Sequence, residues 1–261
     1  MRLNKLLAER VGLARRKCDA AIQAGEVAVD GVVVTSPGTS VDPDRAQVTF
    51  RGERVALVPP DIYLLFHKPL DVLVTWSDPQ GRRTVKDYVP AGMPRLFAVG
   101  RLDSDTTGLL LLTNDGALAH RLAHPRYEVP KVYRITLAYP PTEAQLDQLR
   151  AGVDLGEDER SRPAIARVTG QRGGATTLEL VIAEGKKRQV RRMCKTVGLY
   201  LTALCRVAFG PLALGSLPEG KTRPLTAAEL SALRRAVAGP PDNSGTLGDG
   251  SGVREDASRG R

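Results

Sequence analysis

Residues 100–113 read Gly-Arg-Leu-Asp-Ser-Asp-Thr-Thr-Gly-Leu-Leu-Leu-Leu-Thr, a polar loop that runs directly into an apolar stretch. A second apolar stretch, residues 96–99, precedes the loop. Short apolar runs bounded by glycine or proline are typical of buried strands. The sequence therefore predicts a polar loop held between two strands, which is a good place for accurately aimed side chains.

Outward from this loop, strands and helices alternate in a pattern typical of an α+β domain over residues 61–238. Further strands are predicted at 62–66, 132–137 and 176–182. Helices are predicted at 117–123, 142–151 and 226–237. The last helix begins with Thr226 and has Glu229 three residues later, which is a capping-box pattern. We therefore expect one domain of many short strands with a few helices packed on them.

The first 60 residues predict a smaller helix-helix-hairpin module. Apolar residues recur at helical spacing in two stretches, and Gly25 is placed to end the second helix. Asp30-Gly31 separates two valine-rich strands and suits the two positive φ angles of a type I′ turn. Pro59-Pro60 marks the boundary with the larger domain.

The chain ends and the cysteines indicate the compartment in which the protein works and the redox state of its thiols. No stretch approaches the roughly 18 to 20 apolar residues of a membrane span, and the amino terminus lacks the apolar core of a signal peptide. We therefore expect a cytoplasmic protein without a membrane partner. Residues 239–261 are rich in Gly, Pro, Ser and Asp and are expected to be disordered. Cys18, Cys194 and Cys205 form no Cys-x-x-Cys pair, so reduced thiols are expected.

The positive charge is concentrated in two short windows. The chain carries 38 Lys and Arg against 29 Asp and Glu, a formal net charge of +9. Residues 1–17 and 184–195 each carry a net +5, so the rest of the chain sums to −1. Two focused basic patches favour a polyanionic partner such as nucleic acid, although solvated helix faces would also explain them. With only 4% aromatic residues, a broad base-stacking platform is not expected.

Several kinds of site are compatible with Asp103 and Asp105 in the central loop. An Asp-x-Asp pair can bind calcium, but Asn114 stands where a calcium loop needs a bidentate Glu. A glycosidase pair must flank the scissile bond, whereas residues two apart on an extended segment face the same way. A metal-dependent nuclease and a purely structural turn also remain open. His120 and His124, four apart, have no third metal ligand nearby in the sequence.

A basic run at 184–194 follows an alternating strand and is expected to continue into a helix. Cations at a helix start are disfavoured by the helix dipole unless an anion or carboxylate lies there. We therefore expect Arg191 to pair bidentately with Asp103 and to hold that carboxylate ionised.

These motifs resemble a known family. Residues 100–116 resemble the signature of a group of ribosomal-RNA pseudouridine synthases, namely type A, which modifies the small ribosomal subunit, and types B, E and F, which modify the large one. Residues 131–133 resemble the tyrosine motif of this group and residues 184–193 its arginine motif. Residues 1–60 resemble the RNA-binding module named after small-subunit ribosomal protein four. The resemblance covers about residues 1–235.

Two longer segments, 77–82 and 119–129, make the resemblance strongest to type B of the large ribosomal subunit. Three positions depart from the family pattern: Asp71 stands where Gly is usual, Thr107 where Glu is common, and Lys187 where Asn is common. None of them replaces a residue to which the resemblance assigns a chemical role.

The resemblance implies a fold and a reaction. The fold would be the RNA-binding module followed by a mixed, mainly antiparallel sheet domain. The reaction would isomerise uridine to pseudouridine without a cofactor or a metal. Asp103 would attack the sugar C1′ or remove a neighbouring sugar proton, and the sequence leaves both routes open. Tyr133 would stack on the flipped uracil and assist proton loss at C5, while Arg191 would pair with Asp103 and occupy the space vacated by the base.

The implied partner is ribosomal RNA, most directly large-subunit (23S) RNA or an assembly intermediate, bound by a monomer. Small-subunit (16S) RNA, a transfer RNA, or a non-catalytic role as a ribosome-assembly factor remain alternatives. The residues expected to bind RNA are Arg2, Lys5, Arg15, Arg16, Lys17, Arg101, Lys186, Lys187 and Arg188.

Overall fold

The computed structural model describes residues 1–43, 45–55 and 61–238, and its fold is of the predicted α+β class. The strands form two separate larger sheets. One has four strands and lies near the amino terminus of the sequence, and the other has nine strands from the rest of the chain. Two further strands pair as a separate two-stranded ribbon. The predicted module boundary at residue 60 and the predicted disordered tail, 239–261, lie outside the described residues.

The amino-terminal module consists of two helices and a small antiparallel sheet with strand order β2-β1-β3-β4. Its elements are α1 (Leu3–Val11), α2 (Arg15–Gln23), β1 (Val27–Val29), β2 (Val32–Val33), β3 (Val48–Phe50) and β4 (Glu53–Arg54). Its own core contains leucines of α1, Cys18 and Ile22 of α2, and Val27 and Val48 of the sheet. The module therefore has a hydrophobic core distinct from that of the larger region.

The turn residues of this module have the predicted geometry. Gly25 has φ +75° just after α2, and the following amide closes back onto the helix, donating from Glu26 N to Ala21 O. Asp30 and Gly31 have φ +51° and +84°, and Val29 pairs with Val32 across them. The predicted helix stop and type I′ hairpin are both confirmed.

The larger region is built on the nine-stranded sheet, in which β11-β12-β8-β13-β7-β5-β15 are neighbours, β14 pairs with β13, and β6 with β7. The strands of this region are β5 (Tyr63–Lys68), β6 (Phe97–Ala98), β7 (Thr107–Thr113), β8 (Lys131–Leu137), β9 (Asp154–Gly156), β10 (Glu159–Arg160), β11 (Ile165–Arg172), β12 (Ala175–Ile182), β13 (Leu201–Phe209), β14 (Leu212–Ala213) and β15 (Thr222–Pro224). β13 and β7 run parallel, whereas the other strand pairs are antiparallel. The sheet is therefore mixed and mainly antiparallel.

Both faces of this sheet are covered, which explains the continuous apolar runs. In β7, Leu110 and Leu112 belong to one hydrophobic cluster, and Leu109 and Leu111 to another. Because side chains alternate between the faces of a strand, all four are buried. The helices are α3 (Gly116–Ala123), α4 (Glu143–Ala151), α5 (Gln189–Thr196) and α6 (Ala227–Ala236), with 3-10 turns at Val85–Tyr88 and Pro125–Tyr127. α4 and α5 cover the first face, and α3 and α6 the second.

Most predicted elements lie within two residues of their observed bounds. α6 begins after Thr226, whose hydroxyl accepts from Glu229 N while the Glu229 carboxylate accepts from Thr226 N. The predicted strand at 96–99 is shorter: Phe97 and Ala98 are in register with β7, and Val99 N donates to Leu111 O just beyond the strand. All three cysteines are free thiols, two of them buried. No helix in the described part of the chain is long and apolar enough to span a membrane.

Candidate active site

A cleft of about 690 Å³ opens where the polar loop before β7 meets the start of α5. Asp103, Tyr133 and Arg191, which come from three separate sequence motifs, all line it. The cleft is also lined by Arg101 and by the basic run that precedes α5. The fold thus brings together residues that lie up to 88 positions apart in the sequence.

The two carboxylates of the loop are held differently. Arg188 donates to both carboxylate oxygens of Asp105, at 3.3 and 2.8 Å. The Nε of Arg191 lies 3.3 Å from Oδ2 of Asp105, and its Nη2 donates to the Asp105 carbonyl at 2.5 Å. Asp103 has one ion-pair contact, at 3.9 Å to Arg188 Nη1, and its side chain is 38% exposed. Asp105 is therefore anchored, whereas Asp103 is left accessible at the cleft.

These contacts correct one prediction. The sequence predicts a bidentate pair between Arg191 and Asp103, but Arg191 contacts Asp105 instead. Burial works to raise the pKa of Asp105, yet the hydrogen bonds from Arg188 and the charge of Arg191 together lower it below its usual value. Asp105 is thus the carboxylate that offsets the cations at the start of α5.

Backbone geometry places Arg188 for this contact. Arg188 is the N-cap of α5 and has φ +48°, a left-handed conformation that is uncommon for a residue other than glycine. No side chain caps this helix start. The unusual turn directs the guanidinium of Arg188 toward the loop, where it reaches both Asp105 and Asp103.

Sequence inspection missed Lys68, which fixes the loop from behind. Lys68 is fully buried at the end of β5, and its Nζ donates to the carbonyls of Pro69 at 2.8 Å and Ser104 at 3.4 Å. Ser104 O also accepts from Asp71 N at 2.9 Å. Burial lowers the pKa of Lys68 to about 8, against the opposing effect of Asp105, Asp71 and Asp103. The loop that carries Asp103 is therefore tied to the sheet through Ser104.

Sequence inspection also missed Arg206 of β13. Arg206 is register partner both of Tyr133 in β8 and of Gly108 in β7. It lines the cleft, is 2% exposed, and donates from Nε to Leu109 O at 2.9 Å. A Cβ on Gly108 would lie 2.3 Å from Arg206 O, so only glycine fits beside this strand. A signal was present in the sequence, since Arg206 is the one charged residue in a mainly apolar strand, Leu201–Phe209.

The residues predicted to bind RNA fall into two groups. In the module, all five are exposed: Arg2, Lys5, Arg15, Arg16 and Lys17. The other four line the cleft, where Lys186 is half-buried and the rest are exposed: Arg101, Lys186, Lys187 and Arg188. Both groups thus have solvent-accessible cations.

The histidine pair shows local contacts. The rings of His120 and His124 lie 5.5 Å apart, and His124 Nδ1 accepts from Arg126 N at 3.2 Å. Among the described residues, no group of three or more His, Cys, Asp or Glu side chains is arranged to hold a metal ion.

An exposed basic module, together with a cleft in which cations surround two carboxylates, is the arrangement expected of an enzyme that acts on RNA. The comparisons with known proteins give the family. The profile described as RNA pseudouridylate synthase matches residues 62–196, and the S4 domain profile matches residues 1–45. The chain belongs to the RNA pseudouridylate synthase family, and it is therefore an isomerase that acts on RNA.

Individual relatives extend over almost the whole chain. The chain is 40% identical over 240 residues to an uncharacterized RNA pseudouridine synthase of Mycobacterium bovis, covering 91% of this chain and 94% of the relative. It is 37% identical over 235 residues to the ribosomal large subunit pseudouridine synthase B of Bacillus subtilis, covering 89% and 95%. A crystal structure of a pseudouridylate synthase superposes with a TM-score of 0.64 at 33% identity, covering 89% of this chain and 99% of that one.

Proposed function

We propose that this protein converts a specific uridine of large-subunit (23S) ribosomal RNA to pseudouridine, with Asp103 as the catalytic nucleophile or base. The observation that carries the proposal is the placement of an accessible Asp103 beside Tyr133 and Arg191 in one cleft. The choice of RNA rests on similarity to relatives named large subunit pseudouridine synthase B.

Each residue has a distinct proposed part. Asp103 either attacks C1′ of the ribose or removes a neighbouring sugar proton, since one ionised carboxylate suffices for both routes. Tyr133 stacks on the uracil that has left the RNA stack and assists loss of the C5 proton. Arg191 acts through Asp105, to which it binds, and so fixes the loop that presents Asp103. Neither a cofactor nor a metal takes part in this scheme.

The two groups of cations bind different parts of the RNA. The exposed cations of residues 1–60 bind phosphates away from the reacting uridine, and the cations at the cleft position the RNA segment that contains this uridine. Flipping a base costs a few kcal/mol, which favours loops and helix ends of folded RNA. We further propose that residues 1–60 and 61–238 are separate units of a monomer that works in the cytoplasm.

Pseudouridine mapping on 23S RNA tests the proposal. Total RNA from a strain that lacks the protein, mapped by chemical adduct and primer extension, is expected to lose one pseudouridine in the large-subunit RNA. The purified protein should restore it on the unmodified RNA, and Asp103→Asn should abolish the restoration while RNA affinity stays within about twofold, because one neutralised carboxylate removes no phosphate contact.

Asp147→Asn is the matched control, because Asp147 lies exposed on α4 and pairs with Arg150 there. This variant should modify RNA at the wild-type rate. Pseudouridine formed by Asp103→Asn would refute the assignment of Asp103, and a lost signal in small-subunit or transfer RNA would refute the assignment of the substrate.

A further inference from the structure

Arg206 is a buried cation without an acidic partner. Within the described part of the chain, no carboxylate lies within ion-pair distance of its guanidinium, and its Nη2 is buried without a hydrogen-bond partner. An unpartnered buried charge is costly for folding, and such groups concentrate at functional sites. The position of Arg206 therefore calls for a ligand.

A second cation lies close to Arg206. The ammonium of Lys131 and the guanidinium of Arg206 lie 5.8 and 5.2 Å from the centre of the Phe209 ring. Lys131 donates to Val129 O at 2.8 Å. Burial, and then the charge of Arg206, lower the pKa of Lys131 to about 8, while Glu184 opposes them. This part of the cleft therefore has a positive potential that the protein only partly neutralises.

A further buried polar atom without a partner belongs to the same cleft. Four buried side-chain nitrogen or oxygen atoms of the described residues lack a hydrogen-bond partner, and three of them belong to residues that line it: Thr106, Arg191 and Arg206. Arg191 Nε still has the carboxylate of Asp105 at 3.3 Å, which leaves Thr106 Oγ1 and Arg206 Nη2. The exposed cations at the rim suffice for phosphates. Arg206 instead lies beside Tyr133, its register partner, where cross-strand side chains share a face. The buried guanidinium of Arg206 therefore fits a flat, polar base better than a phosphate.

We propose that Arg206, supported by Lys131, binds a carbonyl oxygen of the target uracil and stabilises the negative charge that the ring acquires when its bond to the ribose breaks. This inference rests on the proposed function. It assigns a substrate-contacting role to a residue outside the three motifs that the sequence singled out.

The charge balance of the reaction explains why a cation is useful there. When the C1′–N1 bond breaks, its electron pair stays with uracil and is shared among N1, O2 and O4. C1′ is captured by the Asp103 carboxylate, or that carboxylate removes a proton from the neighbouring sugar carbon C2′. C5 then bonds to C1′ as the C1′–carboxylate bond breaks or as the proton returns to C2′. Finally the C5 proton leaves and N1 gains a proton, so nothing is added or removed overall. A donor aimed at the developing anion stabilises the transition state of the first step.

The test compares two leaving groups in single-turnover reactions. Arg206→Gln should slow conversion of a uridine target by about 10²–10³-fold, the size typical for loss of one such donor. A 5-fluorouridine target gives a more stable uracil anion, because fluorine withdraws electrons. Its C5 has no proton to lose, so its conversion ends at the product with the C5–C1′ bond that keeps the fluorine. The loss of rate up to that product should be at least about tenfold smaller. Conversion is followed by nuclease digestion and liquid chromatography with tandem mass spectrometry, which distinguishes the isomers by retention time and fragmentation. Arg206→Lys should retain part of the uridine rate.

Controls separate this role from a structural one. Arg167→Gln, on the exposed edge strand β11, should leave both rates unchanged. Equal losses of Arg206→Gln on both targets, or no loss, would overturn the inference. If Arg206→Gln does not fold, the same comparison is made with Arg206→Lys, where equal losses on both targets would overturn it too. Failure of the proposed function is distinct, because it would appear as an inactive wild-type protein or an active Asp103→Asn.

Discussion

The cations of the module and those of the cleft are held in opposite ways. In the module, Lys5 lies 3.8 Å from Glu9 and Arg15 donates to Asn4 at 3.4 Å, and both cations are exposed. At the cleft, Arg188 and Arg191 share Asp105. Exposed, loosely held cations suit phosphates in many positions, whereas anchored cations suit a single geometry.

This difference separates affinity from chemistry. Exposed ion pairs contribute little to stability, typically 0 to about 1 kcal/mol, so the module can exchange them for phosphates at small cost. The cleft residues are part of a hydrogen-bonded network that reaches the backbone of the loop at Asp105 and Ser104. We therefore expect changes in the module to alter binding, and changes at the cleft to alter rate or folding.

The largest expected effect follows from Gly108→Ala. Gly108 has φ +113°, and a Cβ there would lie 2.3 Å from Arg206 O and 2.5 Å from Arg206 N. Because the clash is with backbone, the variant should lose at least about 3 kcal/mol of unfolding free energy, together with its activity. Urea unfolding followed by circular dichroism measures this.

Gly12→Ala in the module is the matched comparison. Gly12 has φ +73°, but its Cβ would lie 4.0 Å from the nearest heavy atom, Arg95 Cβ. The expected loss is about 1 kcal/mol, from backbone strain alone. Equal losses for the two variants would show that the β7–β13 contact is looser than the structure indicates.

A smaller effect is expected for Asp105→Asn. The change removes the charge that anchors Arg188 and Arg191, so the single-turnover rate at saturating RNA should fall about 10- to 100-fold. RNA affinity should stay equal or increase, since a negative charge is removed from a basic cleft. Filter-binding and rate measurements on the same variant separate the two effects, and a loss confined to affinity would contradict the positioning role of Asp105.

The smallest effect is expected from the combined change Arg15→Gln, Arg16→Gln and Lys17→Gln. RNA affinity should fall roughly tenfold, and the slope of log affinity against log salt should decrease in magnitude by about 2 to 3, because each of the three lost phosphate contacts contributes about 0.7 to 0.9. The rate at saturating RNA should be unchanged. Arg167→Gln with Arg172→Gln, both on the exposed strand β11, is the control, and an unaltered slope in the module variant would remove the module from RNA binding.

Local features of the fold were predictable because their causes are local. The φ angles of Asp30 and Gly31 follow from their residue types, and the cap of α6 from the spacing of Thr226 and Glu229. The apolar run at 96–99 signals burial, which Leu96 and Val99 show, but burial does not require strand pairing. Asp71, at the position where the family pattern has Gly, has φ +56°, so that pattern reflects backbone geometry.

The members of the site were predictable from their motifs, but their contacts were not. Asp105 and Arg191 are 86 residues apart, and no spacing rule indicates whether Arg191 contacts Asp103 or Asp105, or that Arg188 takes a left-handed conformation. Lys68 and Arg206 were missed for a related reason. A charged residue inside an apolar strand gives no sign of which carbonyl or cleft it faces until the neighbouring strands are known.

The parallel pairing of β7 with β13 determines when the cleft can form during synthesis of the chain. Arg206 bonds to Leu109 across 97 residues, and contacts so distant in sequence form late because a long loop must close first. While the chain is being synthesised, the loop that carries Asp103 emerges long before the strand that completes its cleft. The nascent chain is therefore expected to be inert toward RNA chemistry until β13 has emerged, although its amino-terminal module is already complete.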